Sequence, residues 1–487
     1  MHLPVVTDYQ LDRRAPSSPH RVAGLPATRD SASVGRTRID DREARIRILV
    51  CGINYAPDLL GIAKYTAELC EALAVRGHEV RVTTAPPYYP SWQVQQPYKA
   101  WRYQRETRRG VKLHRVPIYV PNKPSGLRRV LHHASFAMTS SAPTLTSALR
   151  WRPQVVFAVA PSLMSAPTAA IAARLAGARS WLHIQDFEVD AAFDLGLLRG
   201  IGLQRMLLAG ERSILGMFDR VSTISPEMCR RLVRKGVSAD KVEEIRNWVD
   251  TSSVVPGNRM TSYRRQLGID ASKIVALYSG NMAAKQGLEH LGDAAMWLAG
   301  HRDDIMVVLC GSGPMRGPLQ TAIGGLPNVR FIDLQPASRL SELLSTADIH
   351  LLPQKAAAAG LVLPSKMSGM LASGRPIVAM AEPGTDLYLE ASNVGIVTPP
   401  GSGEAFGLAV ASLADRPALR TQLGNAARQA ALKRWDKGAI IDQIEQKLMA
   451  LAGSAQRGRQ DAEVDASPTE GHPRAQYHAA KRGEFGA

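Results

Sequence analysis

Cysteine is scarce in this chain of 487 residues, and the pattern of the four that exist is restrictive. Cys51, Cys70, Cys229 and Cys310 stand far apart and form no C-x-x-C pair. This argues against a disulfide framework and a cysteine zinc site, and it fits a reducing cytoplasm. No uninterrupted apolar run of membrane-spanning length is present. The longest apolar region, Val155–Ala178, is broken by Pro161, Ser162, Ser165, Pro167 and Thr168, so it reads as a strand, a turn and a helix. The G-x-G-x-x-G pattern of dinucleotide-binding loops is missing. So is any N-terminal combination of basic start, apolar core and cleavage site. No helix-turn-helix or zinc signature accompanies the chain's positive charge, which weakens a nucleic-acid reading.

What is present is enough for two cores. The length implies two domains of about 200 residues each. A hydrophobic fraction of 45% with only 6% aromatics and many Ala, Gly and Leu fits α/β architecture. Met1–Ala44 and Ser454–Ala487 are polar and read as disordered tails. The formal net charge of +17 is unevenly placed: residues 45–235 hold 27 Lys and Arg against 12 Asp and Glu. Much of that excess lies between Lys99 and Arg129, where Arg102, Arg105, Arg108, Arg109, Lys112, Arg115, Lys123 and Arg128 stand among Tyr98, Trp101, Tyr103 and Tyr119. Such a surface suits nucleic acid, an anionic membrane or a phosphorylated substrate; a plainly solvated basic surface is the alternative.

One unit repeats along the chain. In the first half Ile46–Val50, Glu79–Thr84, Val111–Val116, Val155–Ala160, Ser180–Ile184 and Arg220–Ile224 are short apolar or β-branched runs. Ile274–Tyr278, Ile305–Leu309, Val329–Ile332, Ile349–Leu352, Pro376–Met380 and Gly395–Val397 repeat the scheme in the second. Helical patterns stand between them, the clearest over Ile62–Arg76. Alternating strands and helices predict doubly wound parallel sheets, and two such sets predict two Rossmann-like domains facing across a cleft. Glu244–Asp250 reads as the last strand leaving the first sheet, and Thr251–Met260 as a connector. The expected division is a tail over 1–44, a Rossmann-like domain over 45–250, a second over 251–435, a C-terminal helix over 436–453 and a tail over 454–487.

Beside the central stretch 274–289, four stretches can line the cleft. In IVALYSGNMAAKQGLE, residues 274–289, Lys285 lies between a strand end and a helix start, a position suited to a diphosphate because a helix N-terminus adds free N–H groups and partial positive charge. An ordinary solvated loop lysine is the alternative there. Ala359–Pro376 offers a second basic helix start, with Pro364 as the first helical residue followed by Ser365 and Lys366. Two such starts in one domain could clamp both phosphates of a nucleoside diphosphate. Gly52–Gly61 joins the first strand to the first helix, with Gly61 at the helix start. Ala85–Trp92 presents Tyr88, Tyr89 and Trp92 on a proline-stiffened loop, facing a sugar or lipid headgroup or else packed on itself. A further strand end, His183–Asp190, carries His183, Asp186, Glu188 and Asp190, any of which could serve acid–base chemistry or charge stabilisation. His183 also has the reading of a satisfied strand-end histidine. A metal site is disfavoured, because these ligand types have no partner set elsewhere.

Several strings carry a resemblance. SGN-x3-KQGLE at 279–289, LPSK-x7-G-R-P-I-V at 363–378, the N-terminal stretch ILVCGINYAPDLLGIAKYTAELCEALAVRGHEVRVTTAPPYYPSW and LHIQDFEVDA at 182–191 resemble the retaining nucleotide-sugar glycosyltransferases of GT-B fold. They are most similar to the branch that builds exported bacterial polysaccharides such as colanic acid, whose best-known member is assigned as a fucosyltransferase. The resemblance spans residues 45–450 and implies a donor-binding C-terminal domain and an acceptor-binding N-terminal one. It places Gly280, Asn281, Lys285, Leu363, Pro364, Ser365 and Lys366 on the donor diphosphate and nucleotide. Gly61 approaches the phosphates, His183 and Asp186 fall in the active-site loop, and Tyr88, Tyr89, Trp92 and Arg102 belong to the acceptor side.

Two positions depart from the family. Asn281 stands where many relatives have arginine, and Leu361 and Gly369 stand where they have two glutamates, the second of them on ribose. The implied substrates are a nucleotide-sugar donor, a GDP-sugar in preference to a UDP-sugar, and a lipid-linked saccharide at the anionic inner face of the bacterial inner membrane. No cofactor or metal and no nucleic acid is expected. A nucleotide-sugar 2-epimerase of the same fold and a basic nucleic-acid-binding protein are the competing readings.

Overall fold

The structure is a computed structural model that describes residues 45–58, 61–123, 125–187, 201–356 and 363–465. The N-terminal tail, Glu188, Asp190, Leu361 and the last part of the C-terminal tail lie outside the described residues.

The first sheet contains β1 (Arg47–Gly52), β2 (Glu79–Thr84), β3 (Gln104–Arg108), β4 (Val111–Arg115), β5 (Val155–Ala160), β6 (Arg179–Ile184), β7 (Arg220–Thr223) and β8 (Val242–Glu244), in the spatial order β3-β4-β2-β1-β5-β6-β7-β8. Only β3 runs antiparallel to its neighbour. Between these strands lie α1 (Ile62–Val75), α2 (Gly126–Trp151), α3 (Ala166–Ala176), α4 (Ile201–Gly216) and α5 (Pro226–Arg234). Both faces of the sheet are covered, which is why its central strands are continuously apolar. Along β1, Ile48 and Val50 enter one core while Leu49 and Cys51 enter the other.

The second sheet is wholly parallel, with β9 (Ile274–Ser279), β10 (Ile305–Cys310), β11 (Val329–Ile332), β12 (Ile349–Leu352), β13 (Ile377–Met380) and β14 (Gly395–Thr398) in the order β11-β10-β9-β12-β13-β14. Its helices are α6 (Ser262–Gln266), α7 (Leu288–His301), α8 (Arg316–Ile323), α9 (Leu340–Ser345), α10 (Lys366–Ala372), α11 (Asp386–Ser392), α12 (Gly403–Ala414) and α13 (Pro417–Arg434). Ile274, Ala276 and Tyr278 of β9 face one core, Val275 and Leu277 the other.

The final helix, α14 (Lys437–Asp465), returns to the first sheet. Ile440, Ile441, Ile444, Leu448 and Leu451 join the core of β1 and β5, and backbone hydrogen bonds Val249 to Trp435 and Lys437 to Val249 pin the crossing. The two halves also meet where the Asp386 carboxylate takes the backbone N–H of Glu227 at 2.9 Å, at the start of α5, and where Arg246 donates to Glu390 at 2.7 Å.

Three local expectations shift. The strand expected over Glu244–Asp250 is instead β8, because Ile245 and Trp248 leave the sheet to fill the first core. Pro364 precedes the helix it was expected to start; α10 begins at Lys366, and Pro364 accepts the N–H of Met367 through its carbonyl. The helix at the C-terminus runs to Asp465, past the expected start of the tail at 454, since Ala, Gln, Arg and Glu favour helix there.

Candidate active site

Strand order locates the site before any side chain is considered. β1 pairs with β2 on one side and β5 on the other, and β9 likewise with β10 and β12. Chain direction reverses at these points, so ligands belong beyond the carboxyl ends of β1 and β5 and of β9 and β12.

At the second switch point the loops after β9, β10 and β12 interlock. Gly280 donates its N–H to Cys310 O at 2.9 Å, and Met282 to Ser312 O at 2.8 Å. The crossing needs glycine: a Cβ on Gly311 would lie 1.9 Å from Gly280 O, and one on Gly313 would lie 2.7 Å from Met282 O and 2.8 Å from Asn281 Oδ1. Gly287 takes a left-handed φ of 66° at the start of α7, where a Cβ would meet the Gln354–Lys355 peptide. Lys355 pairs with Glu289 at 2.6 Å in the first turn of that helix.

Lys366 comes to the same place from α10. Its Cδ would be 3.5 Å from a Cβ on Gly280, and its Nζ sits 4.0 Å from the Tyr278 ring centroid. That nitrogen is enclosed and has no hydrogen-bond partner among the described residues, and burial pulls the ammonium down to about 7. A buried ammonium with three idle donors is costly unless an anion joins it. Tyr278 spends its hydroxyl on Asn281 O at 2.7 Å; Asn281 itself is exposed. Leu363 and Pro364 are buried and Ser365 is half-buried just before Lys366. Lys285 lies in the short turn Ala284–Gln286 between β9 and α7, and its side chain is outside what the structure describes.

The acceptor-side residues fall on the first sheet. Gly61 caps α1 with φ 62°, and among the described residues no side chain caps the helix and nothing lies within 4 Å of the space a Cβ would take. The first-turn N–H groups of α1 have no partner within the helix. Arg115 organises the loops beside it: fully buried, it donates to Ala85 O at 2.9 Å, Ala56 O at 2.5 Å and Glu106 at 2.7 Å, and covers the Tyr98 ring at 4.6 Å. Asp58 is buried against this group. Burial pushes its carboxyl up to about 7 in spite of hydrogen bonds from the Tyr88 and Tyr89 backbone. Tyr89 lies near enough to Asp186 and Asp58 that burial, then Asp186, raise its hydroxyl pKa. Asp186 lines a small cavity with Ala160, Pro161, Leu163, Ile184, Phe187 and Glu211.

Two open readings narrow here. His183 has the arrangement of the satisfied strand-end histidine: it is enclosed, its Nδ1 is 2.9 Å from Ser222 Oγ and its Nε2 2.9 Å from Gln185. Burial lowers it to about 4, so it is neutral at physiological pH. Tyr88 has the self-packed arrangement. Its side chain is buried, its hydroxyl lies 2.9 Å from His132 Nε2, and Trp92 packs on both rings at 5.6 and 5.2 Å. Arg102 is exposed, stacked on Trp101 at 4.4 Å.

The crossing glycines Gly311 and Gly313, the Lys355–Glu289 pair and the Asp58–Arg115 cluster are parts of the site that motif reading missed. A G-x-G after an apolar run was the one visible trace of the first.

Two doubly wound parallel sheets, each with its loops gathered at a switch point, are the GT-B architecture, and similarity to known families makes it that of a glycosyltransferase. Residues 61–248 match the "Glycosyl transferase 4-like domain" family and residues 260–430 match "Glycosyl transferases group 1". The chain is 44% identical over 347 residues to an Escherichia coli K12 protein named as a colanic acid biosynthesis glycosyl transferase, WcaI, spanning 70% of this chain and 85% of that one. Similar folds occur in sucrose-phosphate synthase of Thermosynechococcus elongatus, at TM-score 0.65, 20% identity and coverage of 84% and 100%. Another is Anabaena HepE bound to UDP and glucose, at TM-score 0.61, 16% identity and coverage of 83% and 100%. The chain belongs to the group 1 glycosyltransferases, in the branch that holds the E. coli protein, and is a hexosyltransferase-type enzyme. Among the described residues no helix is long and apolar enough to cross a membrane.

Proposed function

We propose that the enzyme transfers a sugar, fucose, with retention from a GDP-sugar, in preference to a UDP-sugar, to a lipid-linked oligosaccharide in exopolysaccharide biosynthesis of the colanic-acid kind. The observation that carries this reading is the enclosed ammonium of Lys366 beside Gly280, partnerless among the described residues. In the reaction the acceptor hydroxyl oxygen bonds to the anomeric carbon as that carbon's bond to the β-phosphate oxygen breaks. The hydroxyl proton passes to the departing phosphate, and free GDP is released. Negative charge grows on the diphosphate, so Lys366, Lys285, Asn281 and the first-turn N–H groups of α1 after Gly61 gain strength in the transition state. With the lysines meeting that charge, no metal is required. His183 holds the active-site strand end in place through Ser222 and Gln185, and Asp186, whose charge acts on the Tyr89 hydroxyl, is the described carboxylate of that loop.

The acceptor, as a lipid diphosphate, is met at the cytoplasmic face of the inner membrane, where the basic first half supports peripheral attachment. The test is release of nucleoside diphosphate from a panel of GDP- and UDP-sugars, with and without bacterial lipid-linked oligosaccharide. Release from a GDP-sugar that rises with the oligosaccharide supports the reading; release of a free sugar epimer without acceptor would replace it with an epimerase.

A further inference from the structure

The basic stretch Lys99–Arg129 is less available than its sequence suggests. Arg115 is internal, and Arg108 and Arg109 are engaged by Glu71 at 3.4 and 3.0 Å. What the structure exposes beside it is apolar. Leu127 and Met138 of α2 are 73% and 74% exposed, and Val130 and Leu131 between them 45% and 51%. At about 100° per residue these four side chains share one sector of about 100°. His132, Phe136 and Ser140 are buried on the opposite side.

Isolated exposed hydrophobes are ordinary. These are joined to others: Trp101, Tyr103 and Tyr119 are 66%, 61% and 44% exposed. The Tyr103 hydroxyl donates to Thr139 O at 3.2 Å, and the Tyr119 N–H is 3.0 Å from Ser135 Oγ. The aromatic segment and the helix therefore form one face. The 26 residues of α2 include no Asp or Glu, while Arg128 is exposed on its flank and Lys123 and Arg102 are exposed beside it; Arg129 turns to the inner side, over the Trp92 ring at 5.5 Å. A second copy of the chain would bring the same arginines together in an isologous contact. Apolar stripe, interfacial aromatics and basic rim instead complement an anionic lipid surface.

We infer that the first half of α2, with Trp101, Tyr103 and Tyr119, lies in the headgroup layer of an anionic bilayer, helix in plane. This rests on the reading of a lipid-linked acceptor, and it gives that reading a geometry. His132 on the inner side of the docked helix touches Tyr88 and Trp92 of the acceptor-side loop, so docking sets that loop at the height where a lipid-borne saccharide emerges. Apolar contact and charge act together, and either signal alone gives weak, reversible binding.

The test is co-sedimentation of the full chain with phosphatidylcholine vesicles, with and without phosphatidylglycerol. Binding is expected to favour the anionic vesicles, to weaken with salt yet persist in part, and to fall about tenfold or more in Leu127→Glu/Met138→Glu, with an unchanged circular-dichroism spectrum and melting midpoint. Lys123→Ser/Arg128→Ser is expected to lose the anionic preference. Equal binding of the Glu variant, absence of binding by the parent, or a dimer that the Glu variant converts to monomer would overturn the inference. Release of nucleoside diphosphate from soluble donor is independent of these outcomes, so failure of docking and failure of the transferase assignment are told apart.

Discussion

Each half of the molecule buries one cation at the loops of its switch point, and the two are treated oppositely. Arg115 in the first half has two carbonyls, a carboxylate and an aromatic ring around its guanidinium. Lys366 in the second has an aromatic ring and, among the described residues, no hydrogen-bond acceptor. Burial alone therefore does not separate these two cations; unfilled donor capacity does. A satisfied cation locks loops together, and an unsatisfied one waits for a ligand.

The largest expected effect sharpens this contrast on the stability side. Arg115→Ala leaves Glu106 and two buried carbonyls unpaired and is expected to cost about 3–5 kcal/mol, read as a drop in denaturant midpoint. Lys366→Met is expected to leave the midpoint unchanged or raise it. A loss of stability in Lys366→Met equal to that in Arg115→Ala would break the comparison. On the activity side, Lys366→Ala and Lys285→Ala are each expected to lower turnover roughly 10²–10³-fold with the fold intact. Normal turnover in both would remove the diphosphate assignment.

The pH dependence separates the two cations further. Lys366 is held near 7 in the free protein, against the unfolded value near 10.4. Between those values the unfolded chain binds the extra proton, so stability contributed by this group rises with pH across that window and is absent below 7. Donor affinity has the opposite sign: a diphosphate favours the ammonium, so binding weakens as pH rises above 7 and is accompanied by proton uptake. Calorimetry in buffers of different ionisation enthalpy reads that uptake, and Lys366→Met is expected to abolish it.

Smaller effects are expected elsewhere. His183→Ala removes partners from Ser222 and Gln185 and is expected to cost about 2 kcal/mol, with turnover by the folded enzyme within tenfold of the parent. A loss of three orders of magnitude without loss of stability would restore His183 as a catalytic group. Gly61→Ala forces a side chain to φ 62°, at about 1–2 kcal/mol, and puts a methyl into space where none of the described residues has an atom within 4 Å.

How much of this was legible beforehand depends on what each residue answers to. The buried strands β1, β5, β9 and β12 were visible because both faces are covered and their runs are largely apolar, and β2, EVRVTT, because its residues are mostly β-branched. β3, with the sequence QRETR at the sheet edge, carried no such pattern and was found only through its pairing with β4. Lys366 was legible as a basic residue near a helix start, but its enclosure by Tyr278 and Gly280 required the fold. The same holds for His183, whose two readings were separated by Ser222, 39 residues away. Arg115 was counted as surface charge because its partners Ala56 and Ala85 are backbone carbonyls, which sequence does not single out.

The most direct measurement is calorimetric titration of the parent and Lys366→Ala with GDP and with guanosine. The account expects GDP to bind the parent far more tightly than guanosine does, and Lys366→Ala to lose most of that margin while guanosine binding stays as it was. Equal GDP affinity in the two proteins would contradict it.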